Sequence, residues 1–120
     1  MNKRTKGEQY EDRAVSLLVK KGHEILARNF RNRYGEIDII SHDKVSDELV
    51  FTEVKYRSGN GFGYAAEAVT LNKQKNISLV ARYFIMKCPA YSGKNIRFDV
   101  FAFEGDLPNH IEGAFLYNGF

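Results

Sequence analysis

Asp38 interrupts an isoleucine run, Gly35-Glu36-Ile37-Asp38-Ile39-Ile40, and fifteen residues later Glu53-Val54-Lys55 interrupts a second apolar run. Burying three charged groups in a sheet costs on the order of several kcal/mol unless something compensates them. A divalent cation and a polyanionic substrate would compensate them, which makes the chain a candidate metal-dependent nuclease.

Side chains alternate along a strand, so Phe51, Glu53, Lys55 and Arg57 share one face while Val50, Thr52, Val54 and Tyr56 share the other. Asp38, on the neighbouring antiparallel strand, comes within about 5 Å of its cross-strand partners. Two carboxylates that close repel unless a cation lies between them, and Mg²⁺ binds through one or two carboxylates, waters and phosphate oxygens. The expected metal ligands are Asp38, Glu53 and the backbone carbonyl of Val54. Lys55 then either orients or deprotonates the attacking water or stabilises charge developing on the phosphate. Glu11 offers a third carboxylate. It stands three, four and seven residues before Ala14, Val15 and Leu18 and so borders the buried face of its helix. Glu8, one turn earlier, competes with it. The plainer alternative is a set of ordinary salt bridges, Glu53 with Lys55 and Asp38 with Arg31 or Arg33.

The elements that must position these groups follow from periodicity and punctuation. Residues 5–21 read as a helix capped by Thr5 and ended by Gly22. Strands are expected at 23–30, 36–41 and 49–56, the first two joined by a turn at Tyr34-Gly35 and the last two by a polar loop at 42–48. A glycine-rich loop at 58–63 and a single helical turn at 64–69 precede a second long helix, 71–87, which Thr70 caps and Cys88-Pro89 stops. Strands at 95–103 and 110–117 complete the chain, the last at an edge. The order is α-β-β-β-α-β-β. Three strands form a meander and a crossover helix returns the chain to the sheet, so the sheet is mixed and flanked by helices.

At 120 residues the chain is expected to be a single domain, 1–120. The single cysteine, Cys88, excludes an internal disulfide and a cysteine-rich metal site. The basic start, Met1 to Lys6, is followed by no apolar stretch of a secretory signal, and no run is long enough to span a membrane; a cytoplasmic location is expected. The net charge of +3 leans weakly toward anionic partners. The bases cluster at Arg28 to Arg33, Lys55 to Arg57 and Lys73 to Lys75, around acids set in apolar runs.

Several of these segments together, namely Glu11-x-x-Ala14, Arg28-Asn29-Phe30-Arg31, Gly35-Glu36-Ile37-Asp38, Phe51-x-Glu53-Val54-Lys55-x-Arg57, Glu67-Ala68-Val69-Thr70-x-x-Lys73 and Arg97-Phe98-Asp99-Val100, resemble the YraN-like family of small bacterial proteins. That family is similar to archaeal Holliday-junction resolvases within the PD-(D/E)XK nuclease superfamily. The resemblance implies a restriction-endonuclease-like fold and a Mg²⁺ site at Glu11, Asp38, Glu53 and Lys55.

DNA, branched or structured forms included, is the expected partner, with Mn²⁺ as an alternative metal. Lys73 and Gln74, in the first turn of the second long helix, are placed to meet a phosphate. Arg28, Arg31, Arg33 and Arg57 would supply further phosphate contacts. Arg97 and Asp99 are read as a structural pair, and His23, His42 and His110 as solvated or core histidines. A resolvase-like reaction calls for a two-fold dimer, and the last strand with Phe115, Tyr117 and Phe120 is its candidate interface. The rival functions are a nucleic-acid-binding module that kept the fold without turnover, and a protein-interaction domain.

Overall fold

The computed structural model describes residues 4–57 and 69–117. The glycine-rich loop at 58–63, most of the helical turn at 64–69, and Phe120 lie outside the described residues. The elements are α1 (Lys6–Lys20), β1 (His23–Asn32), β2 (Gly35–Asp43), β3 (Glu48–Arg57), α2 (Leu71–Lys87), β4 (Asn95–Glu104) and β5 (Leu107–Phe115), with a 3-10 turn at Pro89–Tyr91. The order is the expected one. One five-stranded sheet runs β1-β2-β3-β4-β5. Its pairs are antiparallel except β3 with β4, which α2 joins as a parallel crossover.

The start of α1 gives Glu8 a role of its own. Thr5 Oγ1 accepts from the Glu8 backbone N–H at 3.1 Å, and Glu8 Oε1 accepts from the Thr5 N–H at 2.8 Å. Glu8 therefore closes a reciprocal cap, and Glu11 is left as the carboxylate of α1 that faces the sheet. At the other end Gly22 takes φ +99, and a Cβ there would sit 3.0 Å from Val45 Cγ2. Gly22→Ala is expected to lower stability by about 1–2 kcal/mol in urea unfolding; an unchanged midpoint would mean that the 43–47 turn yields without strain.

Each helix buries its apolar stripe on one face of the sheet. Tyr10, Ala14 and Leu18 of α1 pack on Ile39, Phe101 and Phe103. Ile77, Val80, Ala81 and Phe84 of α2 pack on Ile37, Ile40, Phe51, Phe98 and Val100. Burial on both faces accounts for the continuous isoleucines of β2. Yet Ile37 and Ile39, two residues apart, belong to opposite cores, so strand alternation breaks at Asp38. The β2–β3 ladder ends at the same place, with Ile39 opposite Thr52. Beyond it the Val54 N–H donates to Asp38 Oδ2 at 2.8 Å. The carboxylate takes over from the backbone ladder, and the sheet opens where the acids stand.

Strand limits differ from expectation for polar reasons. β2 continues to Asp43 because Ser41 and Asp43 are buried against His23. The last strand begins at Leu107, three residues before His110, because β4 and β5 form a close hairpin with Glu104 opposite Leu107. It is an edge strand, as expected. Phe115 and Tyr117 stack on Phe98, with centroids 5.0 and 6.2 Å away, so both rings are engaged on the chain's own sheet. No described helix is long and apolar enough to cross a membrane.

Candidate active site

Asp38 stands where β2 leaves β3, and Glu53 lies on β3 with 6% of its surface exposed. Burial, then close contact with Glu53 and its charge, push the Asp38 carboxyl up to about 8; the Val54 N–H opposes this and Glu11 adds to it.

Two lysines meet the pair. Lys73, from the first turn of α2, places Nζ 3.0 Å from Glu53 Oε2. Lys55 lies beside Lys73. Burial, and then the contact and charge of Lys73, hold the Lys55 ammonium below the ordinary lysine range, against the attraction of Glu53 and Asp38. For Lys73 burial works in the same direction, but Glu53 outweighs it and the net shift is upward. One lysine thus keeps its proton firmly while its neighbour holds it weakly.

Glu11 is half-buried. Burial raises its carboxyl, while Asn29 and Arg28 oppose the shift. It lies within electrostatic reach of Asp38, but its Oε1 is 3.8 Å from the Arg28 guanidinium. Among the described residues no three of Asp, Glu, His or Cys gather closely enough to hold a metal ion. The expected trio is a joined pair with Glu11 alongside. Apart from their ion pairs, the buried Glu53 Oε2 and Glu11 Oε1 have no hydrogen-bond partner among the described residues. Buried carboxylate oxygens without hydrogen-bond partners, beside an aspartate whose burial disfavours its charge, are what a hard cation relieves, and Mg²⁺ needs only one or two carboxylates. The residues fit such an ion.

The alternative salt bridges are not formed. Arg31 pairs with Glu36 at 3.3 Å, Arg33 covers the Tyr34 ring at 4.8 Å, and Glu53 turns to Lys73 rather than to its strand neighbour. Of the residues expected to grip nucleic acid, Lys73 touches Glu53 and Arg28 touches Glu11. Gln74 Nε2 donates to the Val69 carbonyl at 3.0 Å and closes the start of α2. Arg28 bridges α1 through Asp12 at 2.8 Å, and Arg57 is half-buried at the end of β3.

A second polar cluster lies under the C-terminal end of α1. Arg97 grips Asp99 with two hydrogen bonds, 2.9 and 3.0 Å, and reaches Glu48 at 2.8 Å and Asp43 at 3.1 Å. His110 Nε2 stands 2.7 Å from Asp99 Oδ2, and Lys21 Nζ 2.8 Å from His110 Nδ1. His23 joins through Asp43, with Nε2 3.5 Å from Oδ2, while its Nδ1 lies 2.8 Å from Ser41 Oγ. The Arg97–Asp99 pair is visible in the sequence as alternate residues of one strand. The histidines are not, because His23 on β1 and His110 on β5, far apart in sequence, come within 6.1 Å between ring centroids only in the folded sheet.

A family model described as uncharacterised protein family UPF0102 matches residues 10–103. A UPF0102 protein of Fusobacterium nucleatum is 45% identical over 106 residues, covering 88% of this chain and 87% of its own. One of Clostridioides difficile is 45% identical over 118 residues, covering 96% and 100%. One of Caldicellulosiruptor saccharolyticus is 44% identical over 113 residues, covering 92% of each. Among solved structures, a repair endonuclease from Pyrococcus abyssi aligns with TM-score 0.42 at 13% identity, covering 87% of this chain; the chain spans 41% of that protein's length.

Proposed function

This chain belongs to the uncharacterised protein family UPF0102, whose name assigns no chemistry, and from the site itself we propose a Mg²⁺-dependent endonuclease that hydrolyses phosphodiester bonds in branched or otherwise structured DNA. The observation that carries this reading is the meeting of buried Glu53 with Asp38, whose carboxyl is pushed up to about 8, and with the Lys73 ammonium at 3.0 Å.

Asp38, Glu53 and the Val54 carbonyl would hold Mg²⁺, or Mn²⁺ in its place, with Glu11 beside them; bound there, the metal supplies Lewis-acid polarisation of the phosphate and an activated water. The Val54 N–H fixes the direction of the Asp38 carboxylate. Lys55 is suited to take a proton from the attacking water, since burial and Lys73 have already weakened its hold on its own. Lys73 stays charged and, with the N-terminus of α2, suits a phosphate oxygen.

One observation favours the rival reading of a binding module without turnover: the Lys73 ammonium already neutralises Glu53. A cleavage panel of blunt, nicked, branched and single-stranded DNA with Mg²⁺ or Mn²⁺, run beside Glu53→Ala, separates the two. Cutting by the wild type that Glu53→Ala loses supports the enzyme. Salt-dependent binding without cutting on every substrate supports the module. Absence of any salt-dependent nucleic-acid affinity sinks both.

A further inference from the structure

A sizeable cavity lies away from the acids. It has a volume of about 460 Å³ and lies between the β1–β2 hairpin and the outer side of α2, walled by Arg33, Tyr34, Leu79, Arg82, Tyr83 and Met86. A second cavity of about 310 Å³ adjoins it at Tyr34, which lines both, and Lys73 lines the second. Lys73 is the residue that reaches Glu53 at 3.0 Å. Taken together, the adjoining cavities form a track along the hairpin and the start of α2, and Lys73 ties its wall to Glu53.

The lining has a definite chemistry. Tyr34 and Tyr83 are 37% and 40% exposed, unusual for rings in a chain this size that buries four phenylalanines completely. Each ring carries a cation over a face, Arg33 above Tyr34 at 4.8 Å and Lys87 above Tyr83 at 5.5 Å. Leu79 and Met86 add an apolar surface, and Arg82 a further charge. Asn32 lines the same cavity, and its buried Nδ2 has no hydrogen-bond partner among the described residues. The acid beside the track, Glu36, is paired with Arg31. Aromatic faces with adjacent cations match an unpaired nucleotide, whose base stacks and whose phosphate takes the charges. A duplex cannot use such a site, because paired bases keep their faces inside the stack.

We propose that this track holds the single-stranded arm of the substrate, with an unpaired base stacked at Tyr34 and Tyr83. The inference rests on the nuclease reading and narrows it: the preferred substrate is a duplex carrying an unpaired tail, cut near the junction.

The test measures binding without added metal, by fluorescence anisotropy, of a blunt duplex and of the same duplex with a single-stranded tail carrying 2-aminopurine. Wild type is expected to bind the tailed form more tightly and to quench the 2-aminopurine by stacking. Tyr34→Ala with Tyr83→Ala should weaken tailed binding roughly ten-fold or more and abolish quenching, leaving the blunt duplex within about two-fold. Tyr34→Phe with Tyr83→Phe, which keeps both rings, should retain the preference. Photocrosslinking of a bromouridine tail to Tyr34 or Tyr83 in the wild type gives the same answer without relying on variants.

A tail preference that survives the alanine pair, crosslinks only elsewhere, or equal loss for blunt and tailed forms would overturn the inference while leaving nuclease activity standing. So would displacement of the tailed duplex by polyglutamate as readily as by single-stranded DNA, since the track would then be a plain anion groove. Wild type that binds neither DNA would overturn this inference and the nuclease reading together.

Discussion

Asp38→Asn is expected to stabilise the metal-free protein at pH 8 and, in the same molecule, to abolish Mg²⁺-dependent cleavage. Burial and Glu53 raise the Asp38 carboxyl to about 8 in the folded chain, whereas an unfolded aspartate titrates near about 3.9. Between those values the folded state binds more protons than the unfolded state, so stability falls as pH rises, by up to about 1.4 kcal/mol per pH unit. An asparagine carries no charge to suppress. Its carbonyl can still accept from the Val54 N–H, and its amide can donate to Glu53. The melting temperature of the variant in EDTA should therefore exceed that of the wild type at pH 8 and converge with it near pH 4. Mg²⁺ should reverse the order, because a ligand that binds only the folded wild type stabilises it by mass action. Loss of a metal ligand removes several kcal/mol of transition-state stabilisation, roughly a thousand-fold or more in rate. A variant less stable than wild type at pH 8 in EDTA, or equal Mg²⁺ stabilisation of both proteins, would contradict the assignment of Asp38.

The opposite signs of these effects explain what makes the acids legible. A fold has no use for an aspartate among isoleucines, and the sheet shows the disturbance it causes, a ladder ended at Ile39 and a strand whose alternation breaks. Local signals are legible for the same reason. Thr5 three residues before Glu8 is a capping box, a local pattern that places Glu8 at the helix start. Apolar spacing on both helices and the element order carry through unchanged. What the sequence withholds is long-range register. Lys73 stands twenty residues from Glu53, and only the crossover docking of α2 brings them to 3.0 Å. Tyr34 and Tyr83 share a cavity because the β1–β2 hairpin lies against α2, and neither ring has a local pattern that announces it. The extension of β2 to Asp43 is hidden too, since Ser41 and Asp43 are buried for hydrogen bonding rather than for hydrophobicity.

Arg97→Met should destabilise the fold by about 3–5 kcal/mol, a large share of the roughly 5–15 kcal/mol available to a domain. Asp99 is fully buried, and Arg97 supplies two of its four hydrogen bonds; the others come from His110 and the Gly113 N–H. Burial alone would raise the Asp99 carboxyl, but His110, Arg97 and Gly113 outweigh it and hold it below the ordinary aspartate range. A carboxyl lowered in this way adds stability above its unfolded pKa and loses that contribution as pH falls through its folded value, so it contributes to acid unfolding of the wild type. Removing Arg97 deprives four acids at once, Asp43, Glu48, Asp99 and the more exposed Glu112. Lysine should recover only part of the loss, because a single ammonium cannot reproduce the fork that binds both oxygens of Asp99 while reaching Glu48. Urea unfolding of wild type, Arg97→Met, Arg97→Lys and Arg97→Met with Asp99→Asn measures this directly. The double variant should be less damaged than Arg97→Met, since the amide leaves no uncompensated charge in the interior. A cost below about 1 kcal/mol for Arg97→Met, or no relief in the double variant, would show that the cluster is tuned for something other than holding β4 against β5 and the end of α1.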